Sequence, residues 1–559
     1  MRQPFLRLFR SAKKVPLQNR EPNRPFRFRM HDSTLSRTPG AAPLRDLLAE
    51  SAAVVQAVLA GRSMTEAIGR VPPPLRAGTQ ALSFHAMRRL GEARALRRIL
   101  VPRTPPEPLA EALLLVSLSL LLPPSSPSAR SPSASSPAPS SQSSASQASA
   151  GVAVAGSTDG VIGAAPEGVP IYAPYTVVDQ AVQAASGLPG VSPLKGLVNG
   201  ALRSYLRDQD ALLPQLARQI EARWNHPQWW VDKLRSAYPA GWESILASAN
   251  VPAPLTLRVN RRRATREQVL AAFEAAGIEA YPTAATGGTD YGGTASNGTD
   301  SSLAFSSRTD SSRAASIGAG PIGASPSGDI PGASGIVLAQ PRPVQRLPGF
   351  EEGWWSVQDA GAQLAAPLLG VTDGMRVLDA CAAPGGKTAH LLELADIDLL
   401  ALDADADRLG RVGDNLRRLG LASPRVALRA ADAADPSAWW DGTPFDAVLA
   451  DVPCTASGIV RRHPDIRWLR RADDVARTVK LQARIVDALW RTVAPGGRLL
   501  YVTCSVFPDE GERQAAAFAA RHGDARRLDA PGQLLPVASG ATVRAQHDGF
   551  FYALFAKAT

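Results

Sequence analysis

Three cysteines occur among 559 residues, and two of them follow short apolar runs: Cys454 in DVPCTASG (451–458) and Cys504 in YVTCSV (501–506). An isolated cysteine is most often a small core residue. Two of three at the ends of strand-like runs instead suggest thiols that face one pocket. A third block, DACAAPGGKT (379–388), also leaves a strand-like run and enters a helical one through a glycine turn. Its GGKT ending mimics a phosphate loop, but that pattern needs glycine where Cys381 stands. A glycine turn after one strand, followed by an acid after the next, is the arrangement that holds an adenosine. Asp403, about 24 residues beyond Asp379, is that acid. The turn lacks the G-x-G-x-x-G that suits a pyrophosphate, which favours S-adenosylmethionine over a nicotinamide cofactor. Asp432, after the third strand, is the expected acceptor for the adenine amino group. A methyl donor beside a thiol suggests carbon methylation of a pyrimidine. Ring C5 is a poor nucleophile until a thiolate adds at C6, and elimination must follow loss of the C5 proton. The chemistry does not say which of the two thiols attacks.

These residues need a scaffold that brings strand ends together. From about 359, the runs MRVLDA, DIDLLALDA, RVALRAAD, FDAVLAD and GRLLYVTCS alternate with helical patterns starting near 386, 405, 436 and 473. That alternation predicts a doubly wound, mostly parallel sheet in residues 359–559, with ligands beyond the carboxyl ends of its strands. Upstream, apolar residues three and four apart in 42–122 and again beyond 170 predict one all-helical domain over 42–220. The tract between, expected to be a disordered insertion over 123–170, opens with 13 serines and 6 prolines in the 28 residues 123–150. Residues 221–358 read as a small α+β middle domain with a second disordered Gly/Ser-rich insertion at 283–335. The pairs Trp229–Trp230 and Trp354–Trp355 read as core.

Composition bounds the setting. Apolar residues make up 45% and charged residues 20%, as in soluble globular proteins. No C-x-x-C or Cys/His spacing suits a metal, and three cysteines make no disulfide framework, so a reducing cytoplasm fits and no metal is expected. The run LLLVSLSLLL (113–122) is too short to span a bilayer and reads as a buried helix. The net charge of +11 is uneven: residues 1–29 hold nine of the 61 basic residues against one acid. Global charge is therefore weak evidence for nucleic acid, and local patches carry that argument. Residues 1–41 are expected to be a disordered basic leader, or to include an overlong start ahead of Met30.

DACAAPGGKT, DVPCTASGIVRRHPDIRWL and YVTCSVFPDE resemble the signature blocks of the RNA 5-methylcytosine methyltransferases of the NOL1/NOP2/Sun type. YPAGWESI, LRVN, LPGFEEGWWSVQDAGAQ and DGFFYALFAK extend the resemblance to nearly everything beyond residue 42 outside the two low-complexity tracts. It implies a NusB-like RNA-binding helical domain, a middle domain and a Rossmann-like class I methyltransferase domain with a seven-stranded sheet. It also implies action on a cytosine of 16S rRNA, either free or in an assembling small subunit; a monomer is the default expectation. By the same resemblance, Cys504 attacks the base and Cys454 assists product release. Cys381, Ala382, Ala383, Pro384, Gly385, Gly386, Lys387, Asp403, Asp432 and Asp451 contact S-adenosylmethionine. Asp451 is further placed to bond the base, Lys387 to favour a thiolate, and Cys381 to be structural. The family usually shows D-A-P-C-S where this chain has D-V-P-C-T, and its compact members lack the two insertions.

For RNA, Arg461, Arg462 and His463 follow the Pro-Cys loop closely enough to flank the target nucleotide. Arg258 and Arg261, at the LRVN strand, form a second candidate patch. Two rival readings stand beside the main one. The same chemistry could serve tRNA or another rRNA site, or the chain could be an RNA-binding module with an inactive methyltransferase domain.

Overall fold

The computed structural model describes residues 42–123, 161–164, 170–284, 335–536 and 542–559. The basic leader and most of both low-complexity tracts lie outside the described residues. The first body is helical: α1 (Leu44–Leu59), α2 (Met64–Gly69), α3 (Pro73–Arg88), α4 (Leu90–Leu100), α5 (Pro108–Leu121), α6 (Pro174–Gly187) and α7 (Lys195–Ala217), with a two-stranded ribbon, β1 (Val161–Ala164) and β2 (Pro170–Tyr172). Because α5 is apolar all round, it runs through the interior, with Leu113, Leu114 and Leu118 fully buried. Each such leucine contributes about 1.5–3 kcal/mol relative to exposure. Glu107 caps its start by accepting the Leu109 N–H at 3.3 Å. One continuous core joins Leu44–Leu122 with Val178–Ala222, so the helices on either side of the Ser/Pro tract pack together.

Next come α8 (Ile220–Trp224), α9 (Gln228–Ala237) and α10 (Trp242–Ser248). Their Trp224, Trp230, Leu234 and Leu246 share a core with Val460, Ile466, Val506 and Phe507 of the C-terminal body. The Trp-rich helices thus pack directly against the C-terminal body. The small sheet proper comprises β3 (Thr256–Val259), β4 (Ala280–Pro282), β5 (Gly335–Leu338) and β6 (Trp355–Val357), in the order β4-β5-β3-β6. It is covered by α11 (Arg266–Ala275), and its separate core is built on Leu257, Phe273, Ile336 and Trp355.

The C-terminal body contains α12 (Ala365–Leu369), β7 (Arg376–Ala380), α13 (Gly386–Leu394), β8 (Asp398–Asp403), α14 (Ala406–Leu419), β9 (Val426–Ala430), β10 (Phe445–Asp451), α15 (Ile466–Leu469), α16 (Ala472–Trp490), β11 (Val493–Thr503), α17 (Glu512–Arg521), β12 (Ala525–Leu534) and β13 (Phe550–Lys557). Its seven strands run in the order β12-β13-β11-β10-β7-β8-β9. Strands β7 to β11 are parallel, and β13 lies antiparallel between β11 and β12. The helix expected near 436 is a single 3-10 turn, Pro436–Ala438. Trp439 follows that turn and buries itself against Phe445, so the chain re-enters the sheet without a helical crossover. Among the described residues, no helix is long and apolar enough to cross a membrane, and no group of three or more His, Cys, Asp or Glu could hold a metal ion.

Candidate active site

Strands β10 and β11 pair in register through Asp451 and Val502, so the loops that leave them start side by side. The Sγ atoms of Cys454 and Cys504 lie 3.4 Å apart, and both residues line a cavity of about 430 Å³ at the carboxyl ends of the strands. The two loops are fastened together: Gly458 N–H donates to Cys504 O at 2.9 Å, and Gly549 N–H to Gly458 O at 2.9 Å. A Cβ on Gly458 would meet Gly549 O at 2.2 Å, so this position needs glycine. The thiols differ in their neighbours. The Cys454 thiol is pushed well above its ordinary range by its hydrogen bond with Cys504, by burial and by the charge of Glu510. Lys387, in contrast, is coupled to Cys504 by charge.

Lys387 Nζ is 2.6 Å from Asp451 Oδ2 and stands 5.7 Å from the centre of the Phe550 ring. Burial alone would lower its pKa, but the charge and hydrogen bond of Asp451 and the nearby Cys504 raise it overall. At the other end of the cavity, Asp403 Oδ2 accepts the Ala383 N–H at 3.1 Å and its Oδ1 the Asp405 N–H at 3.0 Å. The 381–386 turn is shaped by positive φ at Cys381 (66°) and Gly385 (94°), where a Cβ would meet Val412 Cγ1 at 2.9 Å. Cys381, Ala383 and Pro384 line the cavity, whereas Ala382 is buried, its N–H on Leu402 O at 2.7 Å. Burial pushes the Cys381 thiol up, away from the reactive range. The carboxyl of Asp379, fully buried beneath the turn, is pushed up to about 7 by burial, and its Oδ2 accepts from Thr388 Oγ1. A strand-end acid with its oxygens toward a close-approach backbone turn is a donor and acceptor set that suits the ribose and amino-acid ends of S-adenosylmethionine.

Not every expected contact is in the cavity. Asp432 is exposed and does not line it; its Oδ1 accepts the Ala434 N–H at 2.9 Å and its Oδ2 faces Arg484 at 3.9 Å. The arginines read as RNA contacts are largely internal clamps. Arg258 is fully buried, ion-paired with Glu393 at 2.6 Å and donating to Gly386 O at 2.8 Å. The buried Arg461 donates to Pro252 O and Gln546 Oε1, and Arg462 pairs with Asp359 and Asp548. Their positive charge is used up in joining the small sheet and the C-terminal turn to the Pro-Cys loop. His463 lines the cavity, and burial pushes its pKa down. Arg261 is exposed, away from the cavity.

Glu510 closes the YVTCSVFPDE block without being given a role by the sequence, yet it organises both loops. Fully buried, its carboxylate accepts from Thr455 N (2.8 Å), Thr455 Oγ1 (2.5 Å), Thr478 Oγ1 (2.7 Å), Gln482 Nε2 (3.2 Å) and Ser505 Oγ (2.7 Å). Asp465 is a second residue not singled out by sequence; it accepts the Met64 N–H at 3.0 Å and so ties the helical body to the cavity wall.

A mostly parallel seven-stranded sheet with an adenosine-type turn and acid beside its thiol-bearing strand ends defines a Rossmann-like methyltransferase. The family model for the 16S rRNA methyltransferase RsmB/F matches residues 366–556, and that for the RsmF/B-like ferredoxin-like domain matches residues 226–287. The chain is 42% identical to ribosomal RNA small subunit methyltransferase B of Pseudomonas syringae pv. tomato, over 65% of this chain and 72% of that one. It is 39% identical to the protein of the same name from Vibrio cholerae serotype O1, over 68% and 77% of the two chains. The crystal structure of PH0851 superposes with a TM-score of 0.61 over 94% of this chain and 100% of that one; at 22% identity this shows shared fold. The chain belongs to the RsmB/F family of 16S rRNA methyltransferases.

Proposed function

We propose that this chain transfers the methyl group of S-adenosylmethionine to C5 of a cytosine in 16S rRNA, cytosine 967, through a covalent bond between Cys504 and C6 of the base. The observation that carries the reading is the pair of thiols 3.4 Å apart in one cavity whose far end holds Asp403 and the 381–386 turn. When bound there, S-adenosylmethionine supplies the methyl group that C5 accepts. Asp403 and the backbone of the turn hold it, and Asp451, paired with Lys387, stands between the two halves of the site.

Two thiols this close do not ionise independently, and loss of one proton leaves one thiolate and one thiol. Lys387 faces Cys504 and Glu510 faces Cys454, which favours the thiolate on Cys504 and the proton on Cys454. The Cys504 thiolate adds to C6 and makes C5 nucleophilic. After methylation, a base takes the C5 proton, the C5–H electron pair forms the C5–C6 double bond, the C6–S bond breaks and its electron pair returns to the Cys504 sulfur. The Cys454 S–H, 3.4 Å away, stabilises that departing thiolate. The test is to incubate the protein with methyl-labelled cofactor and unmodified small-subunit rRNA and to map the label. 5-Methylcytosine at position 967 is expected; label on another carbon, another site or tRNA alone would overturn the reading. In the same assay Cys504→Ser is expected to abolish methylation and adduct. Cys454→Ser should instead let the RNA adduct accumulate, and the opposite pattern would exchange the two roles.

A further inference from the structure

One wall of the catalytic cavity comes from the helical body. Gly61, Arg62, Ser63, Thr65 and Glu66, at the turn from α1 into α2, line it together with Cys454 and Cys504. We propose that this turn is part of the substrate site, and that Arg62 binds a phosphate of the RNA strand that delivers the target cytosine. The inference rests on the proposed RNA methylation.

The wall is held in place. Met64, buried at the start of α2, donates its N–H to the buried Asp465. Trp468 Nε1 donates to Met87 O at 2.9 Å, Arg88 to Arg461 O at 3.0 Å, and the Arg94 guanidinium lies 5.1 Å from the Trp468 ring centre. All three contacts bind the helical body to residues 461–468, the segment that runs past the thiols. The turn is therefore a fixed surface of the cavity.

Charge then singles out Arg62. A base that reaches a thiol inside a cavity must leave its stack, which brings the phosphates on either side of its nucleotide to the cavity mouth. Most cations around this cavity are committed within the protein. Lys387 is paired with Asp451, Arg408 donates to Ala383 O at 2.7 Å, and Arg470 Nε donates to Thr455 O at 3.1 Å. On the turn itself Glu66 is paired with Arg70 at 2.6 Å, so the acid there is matched. Arg62 lies exposed on the cavity wall, on the side contributed by the helical body.

The experiment compares wild type, Arg62→Glu and Arg62→Lys in methyl transfer, with KM for RNA and for S-adenosylmethionine measured separately over a range of salt. One lost charge-assisted contact should raise the RNA KM roughly tenfold in Arg62→Glu and lower the log–log salt slope by about one. KM for S-adenosylmethionine and kcat should be unchanged, and Arg62→Lys should keep most of the RNA affinity. An RNA KM equal to wild type would overturn the proposal, as would a rise in the cofactor KM alone, which would place Arg62 on the cofactor side. Each value is a ratio to wild type on whichever RNA wild type methylates, so a different RNA target would sink the proposed function without deciding the role of Arg62.

Discussion

Two cysteines of the same chemistry receive different surroundings from one lysine and one glutamate. Lys387 is raised overall, so its charge is complete below the ordinary lysine range and is lost only as pH climbs through a still higher value. It therefore stays cationic throughout the range in which thiols titrate. By linkage, the charge that Cys504 contributes to Lys387 is returned as stabilisation of the Cys504 thiolate. Lys387→Met should accordingly disfavour the Cys504 thiolate and slow methyl transfer, with the loss largest near neutral pH and smaller toward alkali. Single-turnover rates across pH check this, and a loss of equal size at every pH would show that Lys387 acts on cofactor binding alone. The proposed nucleophile was legible in the sequence as one of two cysteines at strand ends. Its electrostatic advantage was not, because Lys387 and Glu510 lie 117 and 6 residues away in the chain, on different elements.

At the scale of elements, the Pro-Cys and Thr-Cys loops hold their relation through a carboxylate that touches neither sulfur. Glu510 gathers five donors from the Pro-Cys loop, the Thr-Cys-Ser turn and α16. Glu510→Gln would place an N–H₂ among groups that already donate, costing about 1–3 kcal/mol for each mismatched contact. It would also remove a negative charge that helps raise the Cys454 thiol. Both effects are measurable: a lower thermal midpoint, and a titration of the thiol pair moved toward acid, followed by thiolate absorbance. A purely packing role would change the first and leave the second where it is. The strands of the C-terminal sheet were legible because buried parallel strands read as apolar runs. The missing helix at 436 was not, since a proline followed by small residues and two tryptophans suits a tight turn as well as a helix start. Asp432 follows its strand as the pattern requires, but the local turn bends its carboxylate onto Ala434, a detail set by backbone geometry.

Across the whole molecule, arginines that look like an RNA-binding surface in the sequence serve as ties between bodies. Proximity to a catalytic motif does not distinguish an arginine that faces solvent from one that faces a neighbouring domain; only the fold supplies the buried Glu393 and Asp548 and the part-buried Asp359. Arg258 has the most to reveal. From β3 of the small sheet it pairs with Glu393 on α13 and holds Gly386 O in the proposed cofactor turn, so the middle sheet reaches that turn through one side chain. Arg258→Met should cost about 3–5 kcal/mol, because it leaves a buried carboxylate without its partner. Burial already raises Glu393 in spite of Arg258, and loss of the guanidinium must raise it further. The folded variant then takes up a proton that the unfolded chain does not, so its stability is greatest in acid and falls as pH rises through the Glu393 titration. Denaturant unfolding at several pH values tests this directly: a penalty independent of pH would mean that the charge of Glu393 is not its source. Adding Glu393→Leu should restore most of the stability by removing the stranded charge. Arg258→Met should also raise KM for S-adenosylmethionine, and that rise should persist in the double variant, because the bond from Arg258 to Gly386 O is still missing; recovery of the cofactor KM together with stability would show that the small sheet supports the fold without shaping the proposed cofactor turn.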